Sequence, residues 1–400
     1  MKAVILAAGE GKRMHPLTFT RPKVMLPIAN KPIMEHLLVQ MKEAGISDFI
    51  FVVGYHGETI REHFGDGHKW GVRTEYVTQR KQLGTAHAVK LVERLVGDRF
   101  ILANGDIVAA ISDIEKVMAS KCITMSLVEA EDTRDLGVVE IDGDKVVGIY
   151  EKVEKPPSNL ANTGIYLLTG DIFPAIDKTR ESRRGEYELT DSLEMLIKEG
   201  QDLSWVKIDS WLDVSYPWDL LEANEALMTK VNAVNQGEVE ENVVLKGTVA
   251  IGAGTVVRSN SYIVGPVVIG ENCEIGPNCY IRPSTAIGDN CHVGGAVEVK
   301  NSIVMRNSKL PHHNYVGDSV IGEGCNFGAG TKIANLRLDH ANITVADINT
   351  GRRKLGAIVG GGVQTGINAS INVGSTIGDH SFIGPGAIAN GVILPNSRIL

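Results

Sequence analysis

The side chains best equipped for chemistry fall into two groups. Near the start, Leu6-Ala7-Ala8-Gly9-Glu10-Gly11-Lys12-Arg13-Met14 joins a short apolar run to a glycine-rich turn. Glycines let backbone N–H groups approach a phosphate closely, and consecutive N–H groups form an anion cradle. Arg13 can add a guanidinium fork to phosphate oxygens. Arg21-Pro22-Lys23-Val24-Met25-Leu26-Pro27 then supplies a lysine framed by two prolines, a rigid setting an ordinary surface lysine does not need. Far downstream, Pro311-His312-His313-Asn314-Tyr315 sets a histidine near a tyrosine. Imidazole exchanges a proton near neutral pH and can deprotonate an amine attacking a thioester. Each feature has a plainer reading: a tight strand-to-helix turn, a surface lysine, a histidine on an exposed face.

The elements that must position the first group alternate. Ala3–Ala7 and Phe49–Val53 read as strands, Ile33–Ala44 and Thr85–Leu95 as helices, and Phe100–Leu102 as a short strand entering Asn104-Gly105-Asp106. Strand–helix alternation predicts a mostly parallel, Rossmann-like α/β sheet with helices on both faces. Ligands of such sheets bind beyond the carboxyl ends of the strands, so the loops after those strands are the candidate site.

The second group sits in a different grammar. Aliphatic residues recur every six positions at Ile251, Val257, Ile263, Ile269, Ile275, Ile281, Ile287, Val293 and Val299. The phase loosens around Arg306–Val320 and returns at Val359, Thr365, Ile371, Ile377, Ile383 and Ala389. A six-residue period fits neither a helix nor an alternating strand; it predicts a left-handed parallel β-helix whose flat sides each bury one aliphatic residue. Cys273, Cys279 and Cys291 occupy small positions of the hexad and read as stacked core residues, their spacing being too wide for a typical zinc site. Asn335–Leu355 breaks the pattern and is expected to loop out. The expected organisation is a catalytic domain over 1–228, a polar linker over 229–242 and the β-helix over 243–400.

Residues 1–242 carry 28 Lys+Arg against 39 Asp+Glu, and residues 243–400 carry 12 against 9. The acidic first part argues against nucleic-acid binding. With no apolar run near the roughly 20 residues of a membrane span and no cleavable leader, the cytoplasm is the expected location.

Leu-Ala-Ala-Gly-x-Gly-x-Arg-Met followed by Pro-Lys-x-Met-Leu-Pro resembles the sugar-phosphate nucleotidyltransferase family. The likeness continues through Gln79, Gln82-Leu83-Gly84-Thr85, Asn104-Gly105-Asp106, Leu136-Gly137, Glu151-Lys152, Asn162-Thr163-Gly164 and Trp211-Leu212-Asp213. Glu154-Lys155 also fits the family's Glu-Lys pattern, but spacing favours the first pair. The implied reaction is attack of a sugar 1-phosphate oxygen on the α-phosphorus of a nucleoside triphosphate, with pyrophosphate leaving. Two anions must meet, so catalysis is charge neutralisation and alignment. The resemblance implies that Leu6, Ala8, Gly9 and Thr85 line the nucleotide site. Asp106 and Asp213 would hold Mg²⁺, Lys23 would face the α-phosphate, and Arg13 would face pyrophosphate. Gln79 would read a pyrimidine and Gly84 would leave room for it, which suits UTP or dTTP alike. Gly137, Glu151 and Asn162 would contact the sugar.

The second half resembles the acetyltransferase domain of the bifunctional enzymes that make UDP-N-acetylglucosamine in bacteria, with an overall pattern closer to archaeal relatives. Arg282-Pro283, Glu298-Val299-Lys300, Leu310-Pro311-His312, Tyr315, Asn326-Phe327-Gly328-Ala329-Gly330 and Asn335 fall in that family's order. By that likeness Arg282 and Lys300 bind the sugar phosphate, and His312 is the base. Tyr315, Asn326 and Asn335 orient the acceptor, and acetyl-CoA lies near Ala329 and Gly360–Gly366. The implied assembly is a homotrimer. The chain departs from the family at Leu336, where a tyrosine is usual, and at Ala341, where a lysine is usual; its own loop cations are Arg337, Arg352, Arg353 and Lys354.

Three readings follow. In the first, the chain acetylates an amino-sugar 1-phosphate and then transfers uridylyl. In the second, it is a glucose-1-phosphate thymidylyl- or uridylyltransferase with the β-helix as a trimerisation scaffold. In the third it is a non-catalytic regulator, which retention of Lys23, Asp106 and Asp213 opposes. Glucosamine and galactosamine acceptors, differing in one hydroxyl, are not separated.

Overall fold

The computed structural model describes residues 1–400 except 131–132, 134–135 and 152–155. Lys152, Glu154 and Lys155, named above, lie outside the described residues. The chain forms two compact units, one of Met1–Glu10, Arg21–Met25 and Ile33–Asp213, the other of Gly11–Thr20, Leu26–Pro32 and Val214–Leu400.

The first unit is built on a nine-stranded sheet. Lys2–Ala7 lies between Asp48–Val53 and Arg99–Asn104, parallel to both, and Arg73–Thr78 extends the parallel part. The apolar runs read from the sequence are these strands, buried on both faces as parallel strands must be. The expected mostly parallel sheet is only half parallel. Leu160–Thr169 runs antiparallel to Arg99–Asn104, and Thr124–Glu129, Ser204–Lys207, Lys145–Glu151 and Gly137–Asp142 follow in mixed directions. Because Lys2–Ala7 has neighbours that leave in opposite directions, the carboxyl ends of the parallel strands open a crevice.

The second unit contains the coil. Its short strands stack into three sheets of nine, nine and eight strands, every pairing parallel, and the winding is that of a left-handed parallel β-helix. Val249 pairs with Val267 and Val267 with Thr285, so one coil takes eighteen residues. The hexad aliphatics from Ile251 to Ile383 are the axial core. Cys273, Cys279, Cys291 and Cys325 are buried among them as free thiols. The Cys279 thiol donates to the Gly294 carbonyl, and burial pushes its pKa up to about 11.

Two boundaries differ from expectation. The coil begins before residue 243, because Val234–Asn235 pairs with Ala250–Ile251 and Glu238–Val239 with Val256–Val257. A terminal coil has a neighbour on one side only, so its residues stay polar and read as a linker. Helix Asp219–Met228 also belongs to this unit: buried Asn224 accepts from the Ala29 N–H and donates to the Ser284 carbonyl. The loosened phase resolves into two short sides. Val299 to Val304 and Val316 to Ile321 are five residues instead of six, with corners at Asn301 and Asp318. Residues 335–355 do leave the coil, carrying a hairpin of Thr344–Val345 and Ile348–Asn349. Among the described residues no helix is long and apolar enough to cross a membrane.

Coil corners need the left-handed backbone region, and asparagines supply it at Asn260, Asn272, Asn278 and Asn290. Asn290→Ala should therefore lower the unfolding free energy by about 1 kcal/mol, while Asn290→Gly costs less. A denaturant titration checks this, and equal midpoints for the two variants would contradict it.

Candidate active sites

In the first unit the crevice gathers residues from distant segments. Lys23 opens a short 3₁₀ turn and is buried; its Nζ lies 2.7 Å from Asp106 Oδ2 and 3.9 Å from Asp213 Oδ1. Asp106 is placed by the turn after Arg99–Asn104, where the Gly105 N–H donates to the Leu6 carbonyl. A side chain on Gly105 would collide with that carbonyl, which is why glycine precedes Asp106. Asp213 ends Trp211–Asp213, which pairs antiparallel with Ile107–Ala109. Two carboxylates around one ammonium leave a net charge of about −1, and both remain partly open to solvent. Among the described residues no cluster of three or more metal-ligating side chains occurs. Hard oxygens from two carboxylates fit Mg²⁺, which takes few protein ligands and completes its shell with phosphate and water.

Gly9 separates packing from ligand demand. A Cβ there would meet no protein atom within 4 Å, and its backbone is not left-handed. No protein packing requires glycine there, and the backbone at Gly9 is open to close approach. The Ala8 carbonyl beside it accepts from Gln82 Nε2, and Leu6 lies at the end of the same strand. Gln79 is buried; its Nε2 donates to the Gly84 carbonyl at 3.0 Å and lies 2.9 Å from His87 Nδ1. The side-chain nitrogen is thereby committed, and Oε1 is what Gln79 can offer as an acceptor. Gly84 has a protein-based reason for being glycine: φ is +104°, and a Cβ would strike the Tyr187 backbone. Thr85 Oγ1 accepts from the Leu189 N–H.

The expected sugar residues form a second group. Gly137 and Glu151 are register partners, and a Cβ on Gly137 would sit 3.0 Å from Glu151 Oε1. Asn162 donates to the Tyr166 hydroxyl and accepts from the Gly164 N–H at a strand irregularity. Sequence reasoning missed Arg184, which reaches Glu151 at 3.8 Å and Glu188 at 2.9 Å. Burial holds the Glu188 carboxyl above its usual range, opposed by Arg184. Arg184 lies in a charged run with no periodicity, so no sequence signal marked it. In the second unit, Arg13 lies with its guanidinium 5.3 Å from the Tyr216 ring centre, and Tyr216 stacks on Trp218.

On the coil, the expected residues divide between faces. Arg282 and Lys300 stand one coil apart on the face that also carries Glu298 and Tyr315. Arg282 pairs with Glu298 at 2.8 Å. Lys300 Nζ donates to Asp318 Oδ2 at 2.9 Å, and Asn335 Nδ2 donates to the same oxygen at 2.5 Å. Asn301 Nδ2 donates to Asp318 Oδ1 at 2.9 Å. Asp318 therefore ties two expected site residues together, although its side chain is only 4% exposed. The sequence reading passed over it, because one aspartate in a phase slip looks like a turn residue. His312 is exposed at the end of Lys309–His312, near the corner before Tyr315. Asn326 lies on the His312 face, stacked between Lys309 and Gln364, so the chain's own coil places it on a different face from Arg282 and Lys300. The Ala329 carbonyl accepts from the Asn368 N–H at the following corner. Gly360 and Gly366 are required by coil stacking: a Cβ on them would strike Asp379 and Pro385 respectively.

Residues 2–230 match the nucleotidyl transferase family model, and residues 263–366 match the GMPPB C-terminal domain. A Methanococcus maripaludis protein named bifunctional protein GlmU is 44% identical, covering 100% of this chain and 97% of its own. A Sulfurisphaera tokodaii bifunctional sugar-1-phosphate nucleotidylyltransferase/acetyltransferase is 41% identical, covering 98% and 97%. Among solved structures, one of UDP-glucose pyrophosphorylase with UDP-glucose aligns with a TM-score of 0.52 at 25% identity, covering 57% of this chain and 99% of that one.

Asp318→Ala would leave the Lys300 ammonium without its buried partner and should destabilise the chain by about 3 kcal/mol. Adding Lys300→Met should restore part of that loss. Thermal unfolding of the two variants measures it, and additive losses would show that the pair is not coupled.

Proposed function

The chain belongs to the nucleotidyl transferase family and, along nearly its whole length, to the bifunctional sugar-1-phosphate nucleotidylyltransferases/acetyltransferases; from that premise we propose that it makes UDP-N-acetylglucosamine in two steps. The first is acetyl transfer from acetyl-CoA to glucosamine 1-phosphate. The second is uridylyl transfer from UTP to N-acetylglucosamine 1-phosphate. The observation that carries the nucleotidyl half is the meeting of Lys23, Asp106 and Asp213, from three distant parts of the chain, within 3.9 Å. Matches over nearly the whole chain to relatives named bifunctional favour this over the scaffold reading.

In uridylyl transfer the sugar 1-phosphate oxygen forms a bond to the α-phosphorus as the bond to the β-phosphate oxygen breaks. Lys23, which is paired with Asp106, takes the role of stabilising charge that builds on the α-phosphate. Gly9 gives the triphosphate room at the loop. Gln79 Oε1 accepts from the N3–H edge that uracil and thymine share, and Arg13 takes the leaving pyrophosphate. Gly137, Glu151 and Asn162 hold the sugar. Mg²⁺ held by Asp106 and Asp213 would supply neutralisation of phosphate charge.

In acetyl transfer the amine attacks the thioester carbonyl and His312 accepts its proton. The C–S bond then breaks, and the CoA sulfur takes the proton back from the imidazolium. Arg282, Lys300, Tyr315, Asn326 and Asn335 position the acceptor, with CoA near Ala329, Gly360 and Gly366. The nucleotidyl half is assigned to residues 1–228 and the acetyl half to the coil, whose first strand is Val234–Asn235 rather than one after residue 243. The reading carries with it a homotrimer in the cytoplasm.

His312→Ala should cut acetyl-CoA- and glucosamine 1-phosphate-dependent thiol release by about 10²–10⁴-fold and leave pyrophosphate formation intact. Lys23→Ala should do the reverse, by roughly 10²–10³-fold. Thiol release that ignores His312 would reduce the coil to a scaffold. Chelation of divalent cations should stop pyrophosphate formation and spare thiol release; loss of both together would remove the assigned division.

A further inference from the structure

The cations expected to hold the acceptor phosphate are already compensated. Arg282 is paired with Glu298 and Lys300 with Asp318. Beside them, the segment that leaves the coil forms a concavity of about 500 Å³, lined by Asp318, Leu336, His340, Arg352, Arg353 and Lys354. Its position is fixed. Asn335, at the root of the loop, donates to Asp318, and the Leu355 N–H donates back to the Asn335 carbonyl. Leu336 bridges Lys354 across the loop. Arg352 is spent on Glu225 at 2.7 Å. Asp318, the one carboxylate lining the concavity, is engaged by Lys300, Asn335 and Asn301.

Arg353 and Lys354 are different. Both are exposed, and neither has a carboxylate partner among the described residues. Two adjacent cations repel each other, and Asp318, which lines the same concavity, is already engaged by Lys300, Asn335 and Asn301. Their fork-and-point donor set suits a phosphate monoester. The concavity shares Asp318 with Lys300 and Asn335, so it adjoins the expected acceptor residues.

We infer that Arg353 and Lys354 form a phosphate-monoester subsite of the acetyl-transfer centre, built by the excursion of residues 335–355. This rests on the acetyl-transfer reading above. Two substrates carry such a group: the amino-sugar 1-phosphate, and CoA through its 3′-phosphate. Occupancy by either one answers the charge left uncompensated there.

The test compares the full chain with Arg353→Gln/Lys354→Gln, which keeps side-chain size at exposed positions. Steady-state thiol release is measured with glucosamine 1-phosphate against acetyl-CoA or acetyl-dephospho-CoA. Binding of glucosamine 1-phosphate, CoA and dephospho-CoA is measured by calorimetry in a Lys23→Ala background. A sugar-phosphate subsite raises the KM and Kd for glucosamine 1-phosphate at least tenfold, with kcat within about threefold. A CoA subsite raises those for CoA and acetyl-CoA at least tenfold and leaves the dephospho forms unchanged. Unchanged KM and Kd for both ligands overturn the proposal. If the unsubstituted chain releases no thiol, the acetyl-transfer reading fails by itself; calorimetry then still decides whether the two cations bind phosphate. Pyrophosphate formation, in chains with Lys23 intact, and the unfolding midpoint should not move.

Discussion

A parallel coil with a turn of about eighteen residues has almost no freedom along its axis. Each side must deliver one aliphatic side chain to the shared core, and each strand must meet its neighbours above and below through the backbone. Residues facing inward are therefore spoken for, and chemistry is confined to outward faces and corners. The two five-residue sides sit at that limit. By removing one residue each, they bring the corners at Asn301 and Asp318 into successive coils beside Lys300 and below Asn335. The buried Asp318 carboxylate can then serve three donors at once, which compensates it without another charge pair.

The first unit solves a related problem by topology. Lys23, Asp106 and Asp213 come from segments far apart in the chain, and the pairing of Trp211–Asp213 with Ile107–Ala109 helps bring both aspartates beside Lys23. The crevice is crowded where it is structural and open where it is not. Gly105 and Gly84 are glycines because protein backbone presses on them, whereas Gly9 faces space. One ammonium between two carboxylates leaves the cluster with a net negative charge.

Much of this was legible in the sequence, and what was missed has physical causes. The six-residue period located the core because inward positions admit little but aliphatics, so composition tracks geometry there. The start of the coil was missed because Val234–Val239 lacks a layer beneath it and needs no apolar pattern. The antiparallel half of the sheet was missed because strand direction leaves no mark on a short apolar run. Lys23 and the aspartates were found by motif. Asp318 and Tyr216 act through partners outside their own segments, and a single polar residue outside a repeat carries no record of such a partner. The glycines at 84, 360 and 366 show the converse: each was given a ligand-related role, and each has a packing reason of its own.

The cysteine column has a consequence for watching the coil open. Cys122 is exposed, while Cys273, Cys279, Cys291 and Cys325 are sealed along the axis, with burial holding the last up to about 12. A thiol-specific chromophore would thus meet one reactive sulfur in the native protein and four more only as successive coils part. Because three of the four lie within Cys273–Cys291 and the fourth beyond the two short sides, the order of labelling would report from which end the solenoid unwinds.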